Sequence, residues 1–240
     1  MYNKNLWCRV LEIFSLTLRG FRDLKQKLKD LIETQKAVIC IVGLGYVGLP
    51  LVKAFTEKSF SVVGIDIDKG KIDSLHAGKT YINHIPDDAI VEMMDSHLFS
   101  AHSDFSVVSD SDVIIICVPT PLTKHREPDL SAIEMSGRAI APYLQKGQLV
   151  VLESSTYPGT TAETLGPILG NSGLVCGQDF YLAFSPERED PGNKNFVTST
   201  IPKVVGADDP DSLEVAAAIY ESVISKVVKV SSTSTAEAVK

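Results

Sequence analysis

At 240 residues, with 44% hydrophobic and 22% charged side chains, the chain is long enough to bury a sizeable core and too apolar to be a disordered segment. A formal net charge of -7 argues against holding nucleic acid by bulk electrostatics, because that mode needs clustered Lys and Arg to displace counterions. The four cysteines (Cys8, Cys40, Cys117, Cys176) are widely scattered, and the five histidines show no metal-ligand spacing. No apolar run reaches the roughly 18 to 20 residues of a membrane span, so the expectation is a reduced, cytoplasmic chain with no metal and no membrane partner.

Residues 1–36 read as an amphipathic helical arm. Trp7, Leu11, Phe14, Leu18, Phe21, Leu24, Leu28 and Leu31 recur at three- and four-residue spacing, which lines one face of a helix. Arg9, Glu12, Arg19, Arg22 and Asp23 interrupt any signal-peptide core. Such a stripe suits packing on the chain's own domain or on a partner subunit.

From Ala37 onward, short β-branched runs alternate with longer helical patterns. The fold class expected is therefore α/β, a Rossmann-like doubly wound, mostly parallel sheet over 37–240. Strands are predicted near Val38 to Val42, Ser61 to Ile65, Val113 to Val118, Leu149 to Leu152, Phe180 to Phe184, Lys203 to Val205 and Val227 to Val230. Ser131 with Glu134 and Thr160 with Glu163 fit the capping-box spacing, and Asp209 before Pro210 fits an N-cap followed by proline at the first helical position.

The chemistry begins at "VGLGYVGLP". Gly43, Gly45 and Gly48 give G-x-G-x-x-G after a strand and at a helix start, with Leu44, Tyr46 and Val47 between them. The first glycine permits the tight turn, the second lets backbone approach a pyrophosphate, and the third lets helix and strand pack closely. The helix N-terminus adds N–H groups and a positive dipole end. Asp66, about 18 residues past Gly48, ends the second strand where a carboxylate can accept hydrogen bonds from an adenosine ribose and repel a 2'-phosphate. This favours NAD over NADP, with Lys71 beside the adenosine.

Three further strand ends carry polar groups toward the same edge of the sheet, where doubly wound folds bind ligands. "ICVPTPLT" supplies Pro119, Thr120 and Pro121; "VVLESSTYPGTT" supplies Glu153, Ser154, Ser155 and Thr156; "FYLAFSPEREDPGN" supplies Glu187. Each segment alone fits a turn with capping residues. Together they point to one site.

These blocks, "GLGYVGLPL", "VPTPL", "ESSTYPGTT" and "FSPERxDPG" in this order, resemble the UDP-glucose/GDP-mannose dehydrogenase family of NAD-dependent enzymes that oxidise a nucleotide sugar twice at C6, to the uronic acid. The resemblance extends over roughly Leu24 to Lys240. "GKTYINHIPDD" and "FSPEREDPGN" look most like the bacterial UDP-N-acetylglucosamine 6-dehydrogenase branch; UDP-glucose and UDP-N-acetylmannosamine dehydrogenases are the alternatives. By matching position, the resemblance makes Gly43 to Gly48, Asp66, Lys71, Pro119, Thr120, Pro121 and Ser155 cofactor contacts. It makes Thr156 the holder of a catalytic water and Glu187 the acid/base residue. It assigns Glu187, Arg188, Glu189, Asp190 and Pro191 to contact with the UDP-sugar, and Lys240 to stabilising negative charge on the substrate oxygen.

In the family an asparagine follows that lysine by one helical turn, and a nucleophilic cysteine lies further on in a glycine-rich loop; this sequence has neither position. The resemblance therefore implies the N-terminal part of such an enzyme, ending before the connecting helix, the cysteine and the UDP-binding domain, and homo-oligomeric when complete. Of the cysteines present, Cys40 and Cys117 are expected to point into the core, Cys8 lies in the arm, and Cys176 precedes a strand at the wrong edge. The competing reading is an NAD-binding module without turnover.

Overall fold

The computed structural model describes residues 23–83, 85–124, 126–187 and 202–239. Residues 1–22 of the expected arm, together with Arg188, Glu189, Asp190, Pro191 and Lys240, lie outside the described residues.

The second part of the arm is a helix, α1, over 23–33. It packs its apolar stripe onto the domain through Leu28 and Ile32, which are buried, and through Leu24 and Leu31 beside them. Thereafter strands and helices alternate: β1 (Val38–Val42), α2 (Gly48–Thr56), β2 (Ser61–Ile65), α3 (Lys69–His76), α4 (Asp87–Asp95), β3 (Phe99–His102), β4 (Val113–Ile116) and α5 (Ser131–Ile140). The second half contains β5 (Leu149–Leu152), α6 (Gly166–Leu169), β6 (Tyr181–Phe184), β7 (Lys203–Gly206), α7 (Pro210–Glu221), β8 (Val227–Val230) and α8 (Thr233–Ala238).

All eight strands form one sheet in the order β3-β2-β1-β4-β5-β6-β7-β8. The first six run parallel in the doubly wound arrangement: the chain adds β2 and β3 on one side of β1, then crosses to add β4 on the other, and this switch opens a crevice between β1 and β4 at their carboxyl ends. β4, β5 and β6 are buried along their whole length because helices cover both faces, which is why they read as unbroken apolar runs. Side chains alternate between two core layers: Ile39 and Ile41 join one, Cys40 and Val42 the other.

Four features depart from expectation. β3, with the sequence FSAH, escaped prediction because Ser100, Ala101 and His102 have weak strand propensity; pairing with β2 at the sheet edge overrides it. β4 stops at Ile116, so Cys117 and Val118 lie beyond the strand. β7 pairs antiparallel with β6, and β8 then runs parallel to β7. Neither expected capping box forms. Ser131 is the first helical residue of α5, tied through its N–H to Asp129 Oδ1 at 2.9 Å, while Gly159 stands at the head of a π-helical stretch, Thr160–Leu165. Asp209 does cap α7, accepting from the Ser212 N–H at 2.8 Å, with Pro210 at the first position.

Candidate functional site

Above the carboxyl ends of β1, β2, β4 and β5 lies a cleft of about 790 Å³. The glycine loop forms one wall, where Gly43, Gly45, Tyr46 and Val47 face it. Gly43 holds φ at +96°, and a Cβ there would sit 2.6 Å from the Cys117 carbonyl oxygen, so the tight turn excludes any side chain. At Gly48 a Cβ would overlap the Gly43 carbonyl, which explains the third glycine by helix-to-strand packing. Gly45 has neither constraint: a Cβ there would meet nothing within 4 Å. Since it borders the cleft, a side chain there would project into the cleft's open space. α2 begins just beyond, with no side-chain cap and no acidic residue in its first turn, leaving a positive dipole end for an anion. Leu44 and Gly48 are buried behind the loop.

Asp66, 6% exposed, stands just past β2. Its carboxylate accepts from the Leu44 N–H at 3.0 Å, the Asp68 N–H at 2.9 Å and Lys71 Nζ at 2.8 Å. Asp66 and Lys71 therefore meet in one pair on the cleft wall. Tyr81 braces the loop, donating to the Leu44 carbonyl at 2.7 Å, with Lys71 Nζ 5.9 Å from its ring centroid.

On the β4 side, Cys117, Val118, Pro119 and Thr120 line the cleft, whereas Pro121 is exposed outside it. The β4 and β5 ends are tied together: Thr120 Oγ1 donates to the Ser155 carbonyl at 2.5 Å, and Ser154 Oγ to the Val118 carbonyl at 2.7 Å. Ser155 borders the cleft. Thr156 follows it, and its Oγ1 is a buried side-chain oxygen with no hydrogen-bond partner among the described residues. An orphaned hydroxyl beside a cleft is a ready place for a small polar ligand such as water.

Deeper in the cleft, Glu153 and Glu187 converge on Lys203. Lys203 Nζ pairs with Glu153 Oε1 and lies 3.2 Å from Glu187 Oε2, and Tyr220 Oη donates to Glu153 Oε2. The Glu153 carboxyl is raised to about 8, by burial first and then by the nearby Glu187, with Lys203 opposing the rise. Burial works against the Lys203 charge, but the two carboxylates outweigh it and hold the ammonium above the ordinary lysine value. The sequence reading found Glu153 and Glu187 and missed Lys203 and Tyr220. It also missed the apolar wall from α5, where Ala132, Met135, Ser136 and Ala139 follow helical spacing that the sequence does carry.

Cys117 corrects an expectation, because it borders the cleft rather than pointing only into the core. Burial first, then the nearby Glu153 charge, raise its thiol well above the ordinary cysteine value, so it is held as a thiol, the weak form for attack. Cys40 is fully buried and likewise raised, to about 12.

A sequence profile of the UDP-glucose/GDP-mannose dehydrogenase family, NAD binding domain, matches residues 37–224. The chain is 37% identical over 204 residues to a UDP-N-acetyl-D-glucosamine 6-dehydrogenase of Pseudomonas aeruginosa, covering 84% of this chain and 47% of the relative. It is 33% identical over 208 residues to a UDP-N-acetyl-D-mannosamine dehydrogenase of Methanococcus aeolicus, covering 84% and 45%. Among solved structures, an NDP-N-acetyl-D-galactosaminuronic acid dehydrogenase from Methanosarcina mazei superposes with a TM-score of 0.79 at 30% identity, over 89% of this chain and 48% of that one. The chain thus spans about half the length of the relatives it matches.

Proposed function

The chain belongs to the UDP-glucose/GDP-mannose dehydrogenase family and carries its NAD-binding domain, and on that premise we propose that it serves the oxidation of a UDP-sugar at C6 to the uronic acid. The observation that carries the proposal is the convergence of the glycine loop, Asp66 and Glu187 on one cleft. The residues fit the cofactor: Gly45 leaves open the space a side chain would fill, and the uncapped α2 N-terminus faces it. When bound, NAD supplies the acceptor for the electrons of the alcohol.

The loop from Gly43 to Gly48 and the α2 N–H groups bind the pyrophosphate. Asp66 accepts from the adenosine ribose, with Lys71 beside it, and repels a 2'-phosphate; Pro119, Thr120 and Ser155 flank the rest of the cofactor, while Pro121, outside the cleft, is left without that role. Thr156 Oγ1, lacking any other partner among the described residues, holds a water. Glu187 would serve as the general base that takes a proton from that water and as the general acid that gives one back. Arg188, Glu189, Asp190, Pro191 and Lys240 keep the sugar-nucleotide roles that the resemblance assigns them. We assign UDP-N-acetylglucosamine as the substrate, supported by the "FSPEREDPGN" form and by the Pseudomonas relative. We assign the reaction to the cytoplasm and to a homo-oligomer, with the cysteine and the UDP-binding domain assigned by the resemblance to the part of the relatives' length that this chain does not span. For the 240 residues alone, the buried thiols at Cys40 and Cys117 favour NAD binding without turnover.

The test is an assay of the complete protein with UDP-glucose, UDP-N-acetylglucosamine and UDP-N-acetylmannosamine, following NADH. The highest kcat/KM is expected for UDP-N-acetylglucosamine. A higher value for either other sugar overturns the substrate assignment, and no NADH with any of them overturns the reaction.

A further inference from the structure

Glu187 stands at the cleft, yet the groups that hold it come from three other elements. The antiparallel pairing of β7 is what brings them together. Phe184 pairs with Gly206, so each step back along β7 is a step forward past β6, and Lys203 comes opposite Glu187. Ser185 Oγ donates to the Val204 carbonyl at 2.8 Å, which holds this continuation in place. Had β7 run parallel to β6, its first residue would lie at the opposite edge of the sheet. Glu153 arrives from the end of β5 and Tyr220 from α7.

The set is closed to water. The Lys203 side chain is 6% exposed, Glu153 is fully buried and Glu187 is 10% exposed. Lys203 Nζ lies 5.3 Å from the Tyr220 ring centroid, so the aromatic face adds cation–π support to the ammonium. A structural ion pair needs one carboxylate for one lysine. Here one ammonium serves two carboxylates that both border the cleft, and of the two Glu187 keeps the more accessible side chain, 10% exposed against 0% for Glu153.

We infer that Glu153, Lys203 and Tyr220 are positioning residues for Glu187: the shared ammonium holds its carboxylate at the cleft and, with Glu153, sets the pH at which it takes up a proton. The inference rests on the acid/base role proposed above. Two buried carboxylates around one cation resist ionising together, so they titrate as a pair, and the raised Glu153 value agrees with this. Among the described residues the charged or titratable groups facing the pair are Lys203 from β7, Tyr220 from α7 and Cys117 from the end of β4.

Glu153→Gln removes the second group that competes for the ammonium, so Lys203 serves Glu187 alone, Glu187 ionises more readily and the acid limb of the kcat/KM profile moves down by about one pH unit. Lys203→Met removes the opposite charge and moves the limb up by at least as much. Lys203→Arg keeps the charge and returns the limb toward its original position. Tyr220→Phe shifts the limb less than either carboxylate or lysine replacement.

The experiment is the pH profile of the complete protein carrying each variant, with melting temperature measured in parallel. A limb that stays put in Glu153→Gln and in the lysine variants, while the melting temperature falls, overturns the inference and leaves a structural role. If Lys203→Met does not fold, Glu153→Gln and Lys203→Arg still decide. If no UDP-sugar is turned over, infrared titration of the 240-residue chain decides instead, reading the carboxyl band that Glu187→Gln removes. A downward shift of that band's midpoint in Glu153→Gln supports the inference, and no shift refutes it, whatever the substrate proves to be.

Discussion

Alanine at position 45 adds a methyl group where the protein offers no neighbour within 4 Å, at a backbone φ outside the left-handed region. The folded state should accept it without strain. Replacing glycine also restricts the unfolded chain, which is worth about 0.4 to 1 kcal/mol of added stability. For a domain of this size that raises the melting temperature by about 1 to 4 °C. The same methyl projects into the cleft, into the space assigned to the pyrophosphate, and should weaken NAD binding at least tenfold, or about 1.4 kcal/mol. Gly48→Ala is the contrast, because its Cβ would overlap the Gly43 carbonyl. There the backbone must shift, costing about 2 to 3 kcal/mol, and the melting temperature should fall by about 5 to 10 °C. Differential scanning calorimetry and isothermal titration with NAD on the two variants give both quantities. A Gly45→Ala protein that binds NAD with unchanged Kd would refute the assignment of the loop as the pyrophosphate cradle.

Glu237 in α8 is 2% exposed and accepts from the Gly159 N–H at 2.6 Å, the Thr161 N–H at 2.8 Å and Thr161 Oγ1 at 2.6 Å. Glu237→Ala strands two buried N–H groups and should cost about 2 to 4 kcal/mol, read by urea unfolding; a loss below about 0.5 kcal/mol contradicts this. α1 is anchored to α7 by Lys25 to Asp211 at 2.7 Å, Lys25 to Glu214 at 3.0 Å and Lys29 to Glu214 at 2.5 Å. Hydrogen bonds from Lys29 and Lys25 hold the Glu214 carboxyl below its ordinary 4.5. A lowered folded value means the contribution is full above about 4.5 and fades as pH falls through the folded value, and partial exposure limits it to under about 1 kcal/mol. Hydrogen exchange over residues 23–33, corrected for intrinsic rates, should lose protection below about pH 4 while the central strands keep theirs; unchanged protection there counts against the anchor.

Much of this architecture is visible in the sequence because buried parallel strands leave little ambiguity. Val38–Val42, Ser61–Ile65, Leu149–Leu152 and Val227–Val230 form at the predicted bounds, each a short β-branched or aliphatic run. The glycine loop is equally legible, since the chemistry of its turn demands glycine at Gly43 and Gly48. What escaped depends on distant parts of the chain. Strand direction leaves no mark in "KVVG", so the antiparallel β7, and with it Lys203 opposite Glu187, could not be read locally. Thr160 and Glu163 have the right spacing for a capping box, yet the Glu237 carboxylate, remote in sequence, takes the free N–H groups at that turn. Cys117 was expected to face only the core because its run looked like unbroken strand; the strand ends one residue earlier, and that residue borders the cleft.

We assign NAD to the cleft above β1 and β2, with Asp66 selecting against a 2'-phosphate. Isothermal titration of the 240-residue chain with NAD and NADP, and of its Asp66→Asn variant, tests it most directly. The account predicts one NAD site per chain, NADP bound at least about tenfold more weakly, and a narrowed gap in Asp66→Asn. Absence of NAD binding, or NADP bound as tightly as NAD by the unaltered chain, would contradict it.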